Sequence, residues 1–301
     1  MQGSTHHHSL RTDATGMHQE PFWVRCVLIG MAYVIVLGLI FIPLIYVFYQ
    51  ALAPGVSVFL DNLFGDPDTR HAIWMTLTVA PIAVLLNTIF GLAAAWTLTR
   101  FRFPGRGTLL TLLDVPFAIS PVVAGLMFVL LFGMQGYLGP FLRDYGIQLI
   151  FSWPGLVLAT TFVTLPFIAR ELIPLMQAIG PDEELAAVSL GASPWQLFWQ
   201  ITLPNIRWGL LYGIIQCNAR AMGEFGAVFV VSGHIAGETD TMPLRVEKLF
   251  QEYNNPGSFA VAVLLTLMAL STLLAKVLLE HYLAAQDAAR LEEASSVEGT
   301  T

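Results

Sequence analysis

The sequence predicts an all-α integral membrane fold: six transmembrane helices, one helical loop on the cytoplasmic side and two polar tails. Three observations predict it. The 301 residues are 55% hydrophobic and 12% charged, whereas soluble domains carry about 25% charged residues. Six apolar runs are each long enough to cross a hydrocarbon layer of about 30 Å at about 1.5 Å per residue. Polar residues gather between the runs, and segment 181–204 carries helix signals of its own.

Residues 1–21 are polar and lack any helical or strand period, so they read as a mobile cytoplasmic tail. The body, 22–284, holds the six spans: Cys26 to Tyr49, Ile73 to Leu98, Leu109 to Phe132, Phe151 to Ile173, Trp208 to Val231 and Ser258 to Leu283. Pro81 predicts a kink in the second span, and Pro116 and Pro121 interrupt the third. Segments 51–70, 133–150 and 232–256 read as loops. The tail 285–301 is helix-friendly at first, then polar and disordered. The first apolar run is too long and starts too late for a removable signal peptide. No internal repeat is visible.

Arginine and lysine in short loops set the orientation, because acids count little. Arg100, Arg102 and Arg106 share one acid-free loop. That loop marks the cytoplasmic side, and six spans then place both termini and segment 181–204 there. Arg25 and Arg207 agree. Arg245 and Lys248 oppose the rule, but in a long outer loop where it is weaker.

Segment 181–204 has the marks of a docking knob. Pro181 suits the start of a helix, and Asp182, Glu183 and Glu184 suit its positive end. Ala186, Ala187, Val188 and Leu190 extend it, and Gly191 can end it in a left-handed conformation. Ser193-Pro194 starts a second helix, on which Trp195, Phe198 and Trp199 share a face. Leu203-Pro204 stops that helix. Helices this short are marginal in water and need a partner surface. By these residues alone, an ordinary interfacial loop fits equally well.

Inside the fifth span, Arg220 and Glu224 stand four apart and face the same way on a helix. An unpaired charge at that depth costs from roughly 3 to above 10 kcal/mol, so the two pair with each other or across to a partner. They either line an anion pathway or gate, or lock two helices together; both readings stand. The small residues around them, Ala219, Ala221, Gly223, Gly226 and Ala227, form a packing face or a moving seam. Arg170-Glu171 snorkels toward headgroups, and Asp114 marks a helix break or surface contact. Cys26 and Cys217 read as buried free thiols, and His6-His7-His8 as a chance run.

The chemistry that is missing narrows the function. No phosphate-cradling Gly-x4-Gly-Lys loop exists, because neither Lys248 nor Lys276 follows glycine. There is no His-Glu-x-x-His, no Gly-x-Ser-x-Gly, no cysteine pair at metal spacing and no basic stripe for nucleic acid. Energy for any transport must come from outside the chain, as a separate ATPase or an ion gradient.

Ala186-Ala187, Gly191-Ala192, Ile201, Leu203 and Pro204 together resemble the loop signature of the membrane subunits of bacterial ABC importers. One position departs: Leu185 stands where that family usually has a glutamate, with Glu183 and Glu184 just upstream. The salt bridge credited to the usual residue is therefore open here. Ala219-Arg-Ala-Met-Gly-Glu-Phe-Gly-Ala227 resembles a motif shared by sulfate, thiosulfate and molybdate permeases. His71-Ala-Ile-Trp74, Phe103-Pro-Gly-Arg106, Leu113-Asp-Val-Pro-Phe117, Phe151-Ser-Trp-Pro-Gly155, Leu203-Pro-Asn-Ile-Arg-Trp208 and Val231-Ser-Gly-His234 are similar to the CysW-type permease subunits of sulfate/thiosulfate importers. The similarity covers nearly the whole chain outside the tails.

The resemblance implies a type I ABC importer permease fold in the bacterial inner membrane, forming half of a translocation path that works by alternating access. It implies ATPase coupling through Glu184, Leu185, Ala186, Ala187, Gly191, Ala192, Leu203 and Pro204, and a path or gate at Arg220, Gly223, Glu224, Phe225 and Gly226. The implied partners are a homologous permease of the CysT/CysU type, two copies of a CysA-type ATPase, an external sulfate- or thiosulfate-binding protein, and membrane lipid. The chain itself is expected to be non-catalytic and to bind no cofactor, with ATP and Mg held by the ATPase. A molybdate/tungstate permease, a gradient-driven anion carrier and a cargo-free scaffold remain as alternatives.

Overall fold

A computed structural model describes the backbone from Phe22 to Glu298 and the side chains of residues 23–282. The tail 1–21, with its histidine run, lies outside the described residues. The elements in order are α1 (Phe22–Leu52), α2 (Val56–Phe64), α3 (Pro67–Arg100), α4 (Arg106–Ala118), α5 (Pro121–Phe132), α6 (Gly139–Asp144) and α7 (Trp153–Thr164). They continue with α8 (Pro166–Ile179), α9 (Asp182–Ser189), α10 (Pro194–Leu197), a π-helical turn (Phe198–Thr202), α11 (Leu203–Met222), α12 (Gly226–Ser232), α13 (Met242–Gln251) and α14 (Asn255–Glu298). The segments 51–70, 133–150 and 232–256, expected as loops, hold α2, α6 and α13, and α3 already begins at Pro67. The backbone of α14 runs well beyond residue 284, where a polar tail was expected to begin.

The chain divides into two units, Met1–Val47 and Phe48–Thr301. In the first, α1 exposes apolar side chains all along its length, an apolar run long enough to cross a membrane. Cys26 is among the exposed residues. The burial expected of it is not found there, because an apolar run long enough to span a membrane need not pack into a core of its own chain.

The second unit is built on α3. Asp66 caps that helix, accepting the N–H groups of Asp68 and Thr69 at 3.2 Å each, and Pro67 occupies its first turn, where no N–H is needed. Pro81 lies within α3 without ending it. Against α3 pack α8 and α11, around Ala80, Val84, Ala95, Ile168, Leu172, Met176, Ile206, Cys217 and Ala221, and α7, whose Leu156 and Val157 join Met75 and Val79. Small residues let these backbones close up: a Cβ on Gly91 would stand 2.9 Å from the Ile168 side chain.

Four helical segments are long and apolar enough to cross a membrane, Trp23–Leu52, Pro67–Arg100, Trp153–Ile179 and Asn255–Tyr282. Counting α4 and α5 as one broken span, bent by 104°, makes five. That bend falls at Ile119, which is extended, and Ser120, at ψ 133°; Ser120 precedes Pro121, and the residue before a proline avoids the helical region. The expected fifth span, Trp208 to Val231, is not a continuous helix. It is interrupted between Met222 and Gly226, and α11 carries Arg207, Gln216, Asn218 and Arg220 within its length.

Candidate coupling and translocation site

The knob begins with α9, whose acidic first turn is Asp182, Glu183 and Glu184. Its end is set by Gly191, at φ +86°. The Gly191 N–H donates to the Val188 carbonyl and the Ala192 N–H to the Ala187 carbonyl, each at 3.0 Å. This pair of bonds is the Schellman closure, and it needs the left-handed conformation that glycine adopts without strain. Ser193 then opens α10 with a reciprocal cap: its hydroxyl accepts the Gln196 N–H at 3.3 Å, and the Gln196 side chain accepts the Ser193 N–H at 2.9 Å.

Leu203-Pro204 does not stop this helix, contrary to expectation. The chain passes from α10 through the π-helical turn directly into α11. Proline lacks an N–H and its ring crowds the carbonyl four residues back. A wider turn at Phe198–Thr202 relieves that crowding, and the Leu203 N–H bonds to the Phe198 carbonyl. Phe198 stacks on Trp96 of α3 with ring centroids 5.1 Å apart, which holds the knob to the membrane helices. Trp195 and Trp199 meet edge to face.

The knob presents an apolar surface. Leu185, Val188, Leu190, Trp195 and Trp199 are exposed, as are Ala186, Gly191 and Pro204, while Ala187, Ala192 and Leu203 are half-buried. Glu184 is the exception in the set expected to couple. It is buried and bound inside the chain: its carboxylate takes Arg100 Nε at 2.7 Å and Nη2 at 3.1 Å, and the Thr202 hydroxyl at 3.0 Å. Leu185's neighbour Glu184 thus makes a salt bridge inside the chain, to Arg100. Sequence reasoning had used Arg100 only as a marker of orientation. Nothing in the chain order pairs a residue closing one span with an acid 84 positions later.

The charged pair lies at the break between α11 and α12. Arg220 Nη1 stands 2.7 Å from Glu224 Oε2, with side chains 35% and 1% exposed respectively. The other oxygen, Oε1, accepts the Ala227 N–H at 3.0 Å. Glu224 thus satisfies a free donor at the start of α12 as well as holding the guanidinium. Thr76, Thr160 and Thr241 line the small space beside it. The pair forms as the spacing predicts, but across a helix end rather than along one helix. The glycines around it differ. A Cβ on Gly226 would meet Pro121 Cβ at 2.9 Å, whereas one on Gly223 would meet nothing nearer than 3.8 Å. Phe225 is exposed and its ring contacts Phe229.

Elsewhere, Arg170 pairs with Asp114 at 2.8 Å and lies over the Phe117 ring at 4.7 Å, with both charged side chains still half-exposed. Near the start of α3, Arg245 from α13 binds Asp66 at 2.6 Å and is buried. Burial pushes the Asp66 carboxyl up, but the Thr69 hydroxyl, the Arg245 guanidinium and the Asp68 amide together bring it below the ordinary carboxylate value. Among the described residues, no group of three or more histidine, cysteine, aspartate or glutamate side chains could hold a metal.

A helical membrane body carrying a knob of two short helices, with a charged break on the following helix, is the build of an importer permease. Residues 87–283 match the family described as binding-protein-dependent transport system inner membrane component, and the chain belongs to that family. Within it the chain falls with the CysW-type permeases: it is 54% identical over 265 residues to the sulfate transport system permease protein CysW of Escherichia coli K12, covering 88% of this chain and 91% of that one. It is also 38% identical over 201 residues to the sulfate transport system permease protein CysT of the same organism, covering 67% and 73%. Among solved structures, a chain of a bacterial alginate ABC transporter, crystallised with an alginate-bound periplasmic protein, superposes with a TM-score of 0.71 at 20% identity. That match covers 84% of this chain and 92% of that one, and it shows the fold.

Proposed function

We propose that this chain is a membrane-spanning permease subunit of an ATP-driven sulfate/thiosulfate importer. It forms half of the translocation path and couples by alternating access to a separate ATPase. The observation that carries the reading is the knob. Its glycine-closed, serine-capped helices are short, and they expose Leu185, Val188, Leu190, Trp195 and Trp199, which calls for a partner. Similarity to CysW points to sulfate as the cargo, and similarity to CysT points to a homologous permease as the other half of the path.

In this reading a CysA-type ATPase, present in two copies, grips Leu185, Ala186, Val188, Leu190 and Trp195. Its closure on ATP moves the knob, and α11 carries the motion to the break at Gly223–Phe225. Arg220, held by Glu224 but still partly open, offers an anion a weak and transient attraction, which suits release of cargo. Gly226 and Phe225 form the seam beside it. The chain supplies path and lever and performs no catalysis; ATP and Mg stay on the ATPase. Arg100, in the acid-free arginine loop, binds Glu184 of the knob, so the two lie on one side. The preference for positive charge inside the cell makes that side cytoplasmic, with both termini there and the external binding protein on the opposite face.

The test is uptake of labelled sulfate, thiosulfate and molybdate, side by side, into vesicles holding this chain with a CysT-type permease, a CysA-type ATPase and a sulfate-binding protein. Sulfate uptake that requires both ATP and the binding protein is expected. Uptake by this chain without an ATPase would instead mark a gradient-driven carrier. Uptake of molybdate alone would move the cargo to that oxyanion.

A further inference from the structure

We propose that Arg100 and Glu184 form the fixed joint through which movement of the knob reaches the membrane helices, and that Glu184 acts inside this chain rather than on the ATPase. The proposal rests on the importer reading above and assigns a positioning role within it. The Arg100 fork makes four hydrogen bonds within the chain. Nε and Nη2 hold Glu184, Nη1 donates to the Met176 carbonyl at 3.0 Å, and Nη2 also donates to the Gly180 carbonyl at 2.9 Å. One guanidinium thereby binds the last turn of α3, the last turn of α8 and the first turn of α9.

Glu184 completes the joint from the other side. Its Oε1 also takes the hydroxyl of Thr202, in the π-helical turn, so both arms of the knob are tied to a single carboxylate. The two charged side chains are 11% exposed each, too enclosed to serve a partner at the surface. The helix ends add to the fit. The carbonyl end of α8 faces a cation and the amide end of α9 holds an acid, the favourable arrangement at both. Only arginine can make this contact, because its planar fork binds a carboxylate through two parallel bonds and still reaches two carbonyls. A lysine would place a single point charge there.

A salt bridge that merely stabilised the fold would affect melting and yield but not the amount of sulfate moved per ATP consumed. The complete importer, rebuilt in proteoliposomes with its binding protein, separates the two. The variants are Arg100→Lys, Arg100→Gln, Glu184→Gln and the double Arg100→Gln/Glu184→Gln. The readouts are ATPase retained on purification, hydrolysis stimulated by loaded binding protein, and sulfate imported per ATP. The ATPase should remain attached in every variant. Sulfate per ATP should fall about tenfold in each glutamine single and no further in the double, because both substitutions break one contact.

Three results would overturn the proposal: an unchanged ratio in the singles, additive losses in the double, or loss of the ATPase from Glu184→Gln but not from Arg100→Gln. If the glutamine variants fail to accumulate, Thr202→Val decides. It removes one hydroxyl and leaves the ion pair; a smaller fall in the same ratio supports the joint, and no fall refutes it. If the unmodified assembly retains its ATPase but moves no sulfate, the cargo assignment fails. The joint is then still judged by whether stimulated hydrolysis and ATPase attachment respond alike to the two singles.

Discussion

Alanine at Gly226 and at Gly223 should have opposite consequences, although the two glycines are three residues apart in one motif. At Gly226 the new Cβ would lie 2.9 Å from Pro121 Cβ and 3.4 Å from both Val122 Cγ2 and the Val122 nitrogen. Carbon atoms prefer about 3.5–4.0 Å, so the closest contact is at least about 0.6 Å too short. A proline ring cannot rotate away, and one of the two further contacts is backbone, so α12 and α5 must separate. Overpacking of this kind costs about 1–3 kcal/mol. At Gly223 the nearest atom to a new Cβ is the Ala219 carbonyl oxygen at 3.8 Å, and φ is −91°, which any residue adopts. Alanine there should be neutral, or stabilising by up to about 1 kcal/mol through a less mobile unfolded chain. Thermal unfolding of the purified permease pair in detergent reads both variants against the parent. Equal shifts, or a larger loss at Gly223, would refute the close packing of α12 on α5.

Glu224→Ala should leave ATPase docking intact while sulfate uptake collapses, and it should cost about 1–3 kcal/mol in stability through the lost helix cap and ion pair, discounted because Arg220 is partly solvated; unchanged uptake and coupled hydrolysis at normal expression would end the gating role. Gly191→Val should loosen the knob by about 1–2 kcal/mol, because a left-handed φ strains a branched residue, and co-purification of the ATPase should weaken while sulfate-binding-protein docking does not. The Asp66 carboxyl lies below its ordinary value of 3.8, so it stabilises the folded state above that pH and the contribution disappears as pH falls through the lowered value; melting curves from pH 5 downward should drop less steeply in Asp66→Asn than in the parent. In detergent-solubilised protein a maleimide should modify Cys26, near the start of α1, before Cys217, which should stay unreacted until the protein unfolds, since the first thiol is exposed and the second buried.

Much of the knob was legible because its determinants are local. Gly191 and Ser193 act on residues within a few positions of themselves, so their chemistry reads directly from chain order, and both caps form as the residue types require. Leu203-Pro204 was misread for a related reason. Proline's demand on the preceding turn is also local, but whether the helix breaks or widens depends on what holds it, and Phe198 stacked on Trp96 holds it. The pairing of Arg220 with Glu224 followed from spacing. The break between them, and the service of Glu224 to Ala227, did not. Leu185 was read as standing where the family usually has a glutamate, yet the chain order could not show that Glu184 turns inward to meet Arg100.

By itself the sequence determined the membrane setting, the helical class, the knob and the family, because apolar run length, cap residues and short motifs are properties of contiguous chain. Only the tertiary structure decided which charges are neutralised and by whom, which glycines are crowded, and where an expected span breaks. Those outcomes depend on contacts between segments far apart in sequence. In a low-dielectric interior such contacts fix the place of every charge, since a buried ion without a partner is too costly to keep.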